Sequence, residues 1–234
     1  MKKKNLMKLI ISIVYDNSAI KKYLKGWGFS AHLKLVNSEK TYNILFDTGA
    51  DPEILFYNMK KMNINPYDID SIVISHSHMD HAGGLLYLLG LKDQFVVYIP
   101  KFMHRNTKSE MKMYAGDMTR FIEVDGIQKI TDNIFTICNN RLYEQFLNIH
   151  LLEGILILTG CAHPGLSNII DFTRKSGTIY GVMGGFHGFS ELNKLKDMKF
   201  ILPCHCTSHK NAIKKMYPDI THECAAGIQY EFGI

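Results

Sequence analysis

The 234-residue chain holds no run of about 20 apolar residues, the length a membrane-spanning helix needs, so no membrane partner is expected. Its opening Met1-Lys2-Lys3-Lys4 and the apolar stretch 6–15 imitate a secretory leader. Lys8 and Ser12 interrupt that stretch and Asp16-Asn17 closes it without a small-residue cleavage site, so a first β-strand with a basic lead-in is expected instead. Cysteine is sparse. Cys138, Cys161, Cys204, Cys206 and Cys224 are odd in number and lack framework spacing, which predicts free thiols in a reducing, cytoplasmic setting. No basic tract with interleaved aromatics accompanies the net charge of +5, which argues against nucleic acid and leaves a mild field suited to an anionic small molecule. Fixed-period repeats and low-complexity linkers are missing too, so one domain over 1–234 is the simplest parse, and nothing specifies an oligomeric state.

What the chain does have is strands alternating with helices, the pattern of an α/β fold. Strands are expected at 9–15, 29–36 and 41–46, the last two joined by a turn at 37–40, and again at 72–74, 95–99, 134–137, 155–159, 178–183 and 200–202. A helix is expected at 51–62, with Pro52 in its first turn and Ile54, Leu55, Met59 and Met62 on one side. Another is expected at 82–89, ended by Gly90. The polar, Met-rich stretch 104–118 reads as the least regular part, its methionines as adaptable packing.

Five of these strands run into residues that can ligate or orient a metal. Asp47-Thr48-Gly49 follows 41–46, and Ser75-His76-Ser77-His78-Met79-Asp80-His81-Ala82-Gly83-Gly84 follows 72–74. Gly160-Cys161-Ala162-His163-Pro164-Gly165, Gly184-Gly185-Phe186-His187 and Pro203-Cys204-His205-Cys206 follow the other three. Strand ends on one rim are how an α/β fold assembles a site from distant sequence. Imidazole and carboxylate are donors that zinc and its first-row neighbours accept. In extended chain residues two apart face one way, so His76 and His78 can grip one ion, while Asp80 and His81 at the turn into a helix can point to a second position. Asp47 is a natural carboxylate for holding the His-rich loop, or a turn residue before Gly49.

These residues resemble the motifs of the metallo-β-lactamase superfamily over 46–205, in the same order along the chain. The resemblance implies a four-layer αββα sandwich holding one or two metals, usually zinc, with iron or manganese as further options. It assigns His76, His78 and His163 to a first metal, Asp80, His81 and His205 to a second, and Asp47 to their support. The aspartate that commonly bridges the metals has no counterpart: the corresponding strand runs into Gly184-Gly185-Phe186-His187. His187 then stands as a substitute ligand, a proton donor to substrate, or a hydrogen-bonding pocket histidine, and Asp80 and His187 are the candidate catalytic residues. Together with Gly26-Trp27-Gly28-Phe29-Ser30, these motifs are similar to the 7,8-dihydropterin-6-yl-methyl-4-(β-D-ribofuranosyl)aminobenzene 5′-phosphate synthase-like branch, which implies a pterin-linked condensation.

A metal held by three histidines lowers the pKa of bound water toward about 7, enough to attack an ester, lactone, thioester or phosphodiester. A pterin-type condensation would use the same ion to stabilise a leaving phosphate. Both need a bound anion, such as a pterin or a phosphate ester, for which the backbone amides of 164–168, opening a helix, are candidates. Trp27 either stacks on a planar ring or covers the core. Cys204-His205-Cys206 with His209 invites a separate zinc knuckle. In extended chain, however, the two thiols face away from His205, so buried, inert thiols are expected, and Cys161 is expected to fill core. Rival functions are a di-iron oxygen- or nitric-oxide-reducing module, for which the 234 residues show no flavodoxin-like unit, and a non-catalytic metal or ligand sensor.

Overall fold

The computed structural model of the chain describes residues 7–36, 40–138 and 143–234. The turn expected at 37–40 therefore lies, except for Lys40, outside the described residues, as does the basic lead-in.

Strand β1 (Lys8–Tyr15) is rich in β-branched residues and buried along its second half, which suits an interior position in a sheet. It pairs antiparallel with β2 (Ser30–Val36), which pairs antiparallel with β3 (Thr41–Phe46). The sheet then turns parallel through β4 (Ser71–Val73), β5 (Val96–Pro100) and β6 (Arg120–Val124). A second sheet begins with β7 (Gly126–Lys129), β8 (Ile134–Cys138) and β9 (Phe146–Leu151), all antiparallel, followed by β10 (Gly154–Thr159). It continues in parallel through β11 (Ile179–Gly185) and β12 (Phe200–Cys204). Strand β13 (Gln229–Gly233) returns to the edge of the first sheet beside β1, giving orders β13-β1-β2-β3-β4-β5-β6 and β12-β11-β10-β9-β8-β7.

Helix α1 (Pro52–Lys61) starts at Asp51, whose side chain accepts a 2.8 Å hydrogen bond from the Glu53 amide. The His-rich segment forms a short helix α2 (Met79–Ala82) and, past Gly83-Gly84, α3 (Leu85–Leu89), capped by Gly90. The expected helix at 82–89 thus begins three residues earlier and breaks at the glycines, placing Asp80 and His81 inside a helical turn. The stretch 104–118, expected to be irregular, contains α4 (Arg105–Tyr114); Met111 is its buried anchor while most of its polar residues face water. Helices α5 (Leu166–Arg174) and α6 (Lys210–Met216) belong to the second half.

Three apolar clusters bind four layers. One, with Ile11, Leu33, Phe46, Leu147, Leu158 and Met183, lies between the sheets. A second joins α1, α3 and α4 to the first sheet, and a third joins α5 and α6 to the other. This is the αββα sandwich that the resemblance implied.

The expectation of five free thiols is corrected. Cys204 and Cys224 form a disulfide, with Cα atoms 5.2 Å apart. The segment after α6 runs beside β12, where the Ile201 amide donates to Ile220 O and the His222 amide to Ile201 O, and this carries Cys224 to Cys204 across 20 residues. No local pattern encodes that pairing. Cys138, Cys161 and Cys206 are not disulfide-bonded.

Candidate metal centre

Strands β3 and β4 run parallel with Phe46 beside Val73, and β10, β11 and β12 run parallel with Thr159 beside Gly184 and Gly185 beside Cys204. The carboxyl ends of each set therefore lie together. Just past them the backbone leaves its ordinary regions: Asp47 (φ 56°), Ala162 (φ 59°), His187 (φ 46°) and His205 (φ 39°) are left-handed, four of the six such non-glycine residues among those described. Local strain of this kind persists only where surroundings over-determine it, and here it marks one rim.

His76, His78 and His163 bring one ligand atom each within 4.8 Å of one another, and so do Asp80, His81 and His205. The two trios are the ones the resemblance assigned. His187 joins neither; it stands exposed beside His163, ring centroids 5.2 Å apart, as a side chain at the mouth of the site.

Four of the imidazoles are fixed by their Nδ1 atoms. Asp47 Oδ2 accepts from His81 Nδ1 at 2.7 Å, and Oδ1 accepts from the Ser75 amide at 2.6 Å. Ser75 Oγ donates to Asp47 Oδ2 at 2.7 Å, so its oxygen is free to accept from His76 Nδ1 at 2.9 Å. Glu144 Oε2 accepts from His163 Nδ1 at 2.8 Å, and Asn17 Oδ1 from His205 Nδ1 at 2.9 Å. Each bond places the ring proton on Nδ1 and bares Nε2, the arrangement in which carboxylate or carbonyl partners orient metal-binding histidines.

Two of the bared nitrogens meet further donor atoms of the rim. His76 Nε2 lies 3.1 Å from His78 Nδ1, and His205 Nε2 lies 3.2 Å from Asp80 Oδ2. At His205 this sets a ring lone pair against a carboxylate oxygen, and the two repel unless a proton or a cation lies between them, whereas His78 can turn an Nδ1–H toward His76. Burial holds the His76 imidazole down to about 2, with the like charge of His81 adding to the effect, and holds His205 down to about 4, so protons are disfavoured at both. A divalent cation fits the donor set better.

Burial opposes a charge on His81, but Asp47 beside it outweighs that and raises its pKa; the hydrogen bond with Glu144 raises that of His163. Burial pushes the Asp47 carboxyl up, against the pull of His81 and Ser75. Depth differs between the trios: His81 and His205 are buried, while His78 and His163 are exposed.

Sequence reasoning missed several residues of this rim. Glu144 is buried and accepts from the amides of Cys161, Ala162 and His163 at 2.7–2.8 Å as well as from the His163 ring. Asp16 Oδ1 accepts from the His205 amide at 2.7 Å. The readable signal was Asp16-Asn17 at the end of β1, a further strand end. Cys206 does not face away from His205, because the left-handed kink at His205 breaks the extended geometry; Cys161, Cys206 and His205 form another group within 4.8 Å. Cys161 is buried as expected, but its sulfur lies 3.1 Å from His81 Nε2. His209, proposed for the knuckle, is absent from every such group among the described residues. Trp27 is 64% exposed and meets the His205 ring edge-on at 5.0 Å, so it covers the site rather than the core.

Beside His163 opens a cleft of about 400 Å³, lined by His187, Phe189, Ser167, Asn168, Glu191 and the start of α5 among others. Among the described residues no helix is long and apolar enough to cross a membrane.

Residues 35–136 match the family described as the metallo-beta-lactamase superfamily, a stretch that holds Asp47 and the ligand candidates from His76 to His81. The chain is 30% identical to the 7,8-dihydropterin-6-methyl-4-(beta-D-ribofuranosyl)-aminobenzene-5'-phosphate synthase of Methanocaldococcus jannaschii, over 78% of this chain and 81% of that one. It is 28% identical to an uncharacterized protein of the same organism, over 88% and 93%. In structure it is similar to Tm1679, a metal-dependent hydrolase of the beta-lactamase superfamily, with a TM-score of 0.75 and 22% identity, covering 97% of this chain and 100% of that one. The metallo-beta-lactamase fold protein YhfI from Bacillus subtilis gives 0.65 at 13%, with the same coverage. At these identities the structural likeness is one of fold.

Proposed function

This chain belongs to the metallo-β-lactamase superfamily, and from that premise we propose that it is a metal-dependent hydrolase of an anionic, ester-type small molecule, a phosphate ester foremost. The observation that carries the reading is the convergence of two ligand trios, in which the bared Nε2 of His205, a ring already hydrogen-bonded through its far nitrogen, faces the Asp80 carboxylate and the bared Nε2 of His76 adjoins His78. His76, His78 and His163 would hold one ion and Asp80, His81 and His205 a second, with zinc the expected metal and iron or manganese the other options.

When bound, such an ion supplies Lewis acidity and a coordinated water with a pKa of about 7. The chain's own residues do the rest. Asp47, Ser75, Glu144 and Asn17 keep the imidazoles aimed, which spares the site reorganisation as charge develops. His187, exposed and next to His163, is placed to hold a proton for the departing group. Backbone amides at the start of α5 and Asn168 border the cleft where an anion would sit.

A second reading has its own support: a pterin-linked condensation, favoured by the 30% identical synthase and by exposed Trp27, whose indole can stack on a flat ring over His205.

The test is zinc-loaded protein assayed against a phosphodiester, a phosphomonoester and a lactone. Turnover is expected, lost with a chelator or His78→Ala, and reduced by His187→Ala with metal content unchanged. Metal-loaded protein inert toward all three would defeat the hydrolase reading. Product from a reduced pterin bearing a phosphate leaving group would favour condensation, and tightly held iron with visible absorbance a reductase. Metal binding with no turnover of any kind would favour a sensor.

A further inference from the structure

Two cysteines unused by that reading sit at the deeper metal position. Cys161 leaves the end of β10 and Cys206 the end of β12, and their sulfurs lie 3.3 Å apart, unbonded. Cys161 Sγ is also 3.1 Å from His81 Nε2, the bared nitrogen of a ring fixed by Asp47. Ligand atoms of Cys161, Cys206 and His205 fall within 4.8 Å of one another, as do those of His76, His81 and Cys161.

The end of β11 offers no competing ligand. A Cβ built on Gly185 would stand 2.3 Å from Gly160 O, 2.7 Å from Cys206 Sγ and 3.2 Å from Cys161 Cα. A side chain there is excluded, and the space it would enter borders the cysteine sulfur. The disulfide at Cys204 removes that residue from contention, leaving Cys206 the available thiol on the loop that carries His205.

We propose that Cys161 and Cys206 are metal ligands which, with His205, make the deeper position a mixed thiolate–imidazole site. The inference rests on the two-ion reading above and deepens it. Thiolate donors favour zinc, cobalt and cadmium, while carboxylate and water suit manganese and magnesium, so the deeper position discriminates in favour of the first group. Both thiols lose their protons to solvent on binding.

The test loads the full chain with cobalt(II) to saturation and records its near-ultraviolet absorption and its X-ray absorption at the metal edge. Expected are thiolate-to-cobalt charge-transfer bands and sulfur scatterers at about 2.3 Å. Both should vanish in Cys161→Ser/Cys206→Ser, with metal content falling by one equivalent. The wild-type spectra decide the matter even if that variant does not fold, and Cys206→Ser alone, at a half-buried position, provides a milder version. Two bound equivalents surrounded only by nitrogen and oxygen overturn the inference but leave the hydrolase reading intact. A Cys161–Cys206 disulfide in the metal-loaded protein also overturns it. Failure to bind any metal overturns both.

Discussion

Glu144 illustrates how much of the centre depends on single side chains that touch no metal. One carboxylate satisfies three consecutive amides and orients His163. Burial works to raise its pKa, yet the hydrogen bonds from the His163 ring and from the backbone amides hold it down to about 2. Glu144→Gln keeps the shape but replaces one acceptor oxygen with a donor, so a ring or an amide loses its partner. Metal affinity is expected to fall about 10–100-fold, the usual consequence of losing such support, measured by competition with a chelator. An unchanged affinity would show that His163 does not ligate. In the sequence, Asp47 was legible because it closes a strand just before Thr48-Gly49, and the His76–His81 spacing spoke for itself. Glu144 was not, because its work is accepting backbone protons that no side-chain motif announces.

Elements deliver these residues through their ends, and there close backbone approach matters more than side-chain chemistry. The Gly28 backbone (φ 142°) passes so near α2 that a Cβ would stand 2.4 Å from Asp80 O, the carbonyl that accepts from the Phe29 amide. Gly28→Ala must therefore displace the turn carrying Asp80 and His81. The expected cost is about 1–3 kcal/mol in urea unfolding, with weaker binding of the second metal equivalent and little change in the first. Equal loss at both positions would mean that the trios are not independently mounted. Interior strands such as β3 could be read from apolar runs alone. Strands β6, β7 and β13 escaped because they are sheet edges, where alternation is diluted by charge, and α4 escaped because its buried contact is essentially Met111. Strand β9 was hidden by Asn148, a polar residue buried against Thr173.

At the scale of the molecule, acid sensitivity extends beyond the centre. His32 on β2 is buried, with Nε2 3.1 Å from Asn43 Oδ1, and burial holds its imidazole down to about 4. The unfolded chain binds this proton near pH 6.5, so the stability tied to neutral His32 is complete above that value. It drains as pH falls from about 6.5 to 4, by at most about 3 kcal/mol. His32→Gln should flatten that part of the profile in unfolding measurements at pH 7 and pH 4.5; an unaltered slope would place the loss elsewhere. The four-layer architecture was legible through the order of motifs along the chain, whereas the Cys204–Cys224 bond depends on which distant segment comes to lie beside β12.

The centre draws on both sheets, and its Asp80–His205 contact spans 125 residues of sequence. On the ribosome, the early histidines emerge long before their late partners exist. A nascent chain can offer at most a partial nest of nitrogens until the end of β12 has cleared the exit tunnel. Completion of the deeper ligand set is thus a closing event of biosynthesis, one that a half-made polypeptide cannot perform.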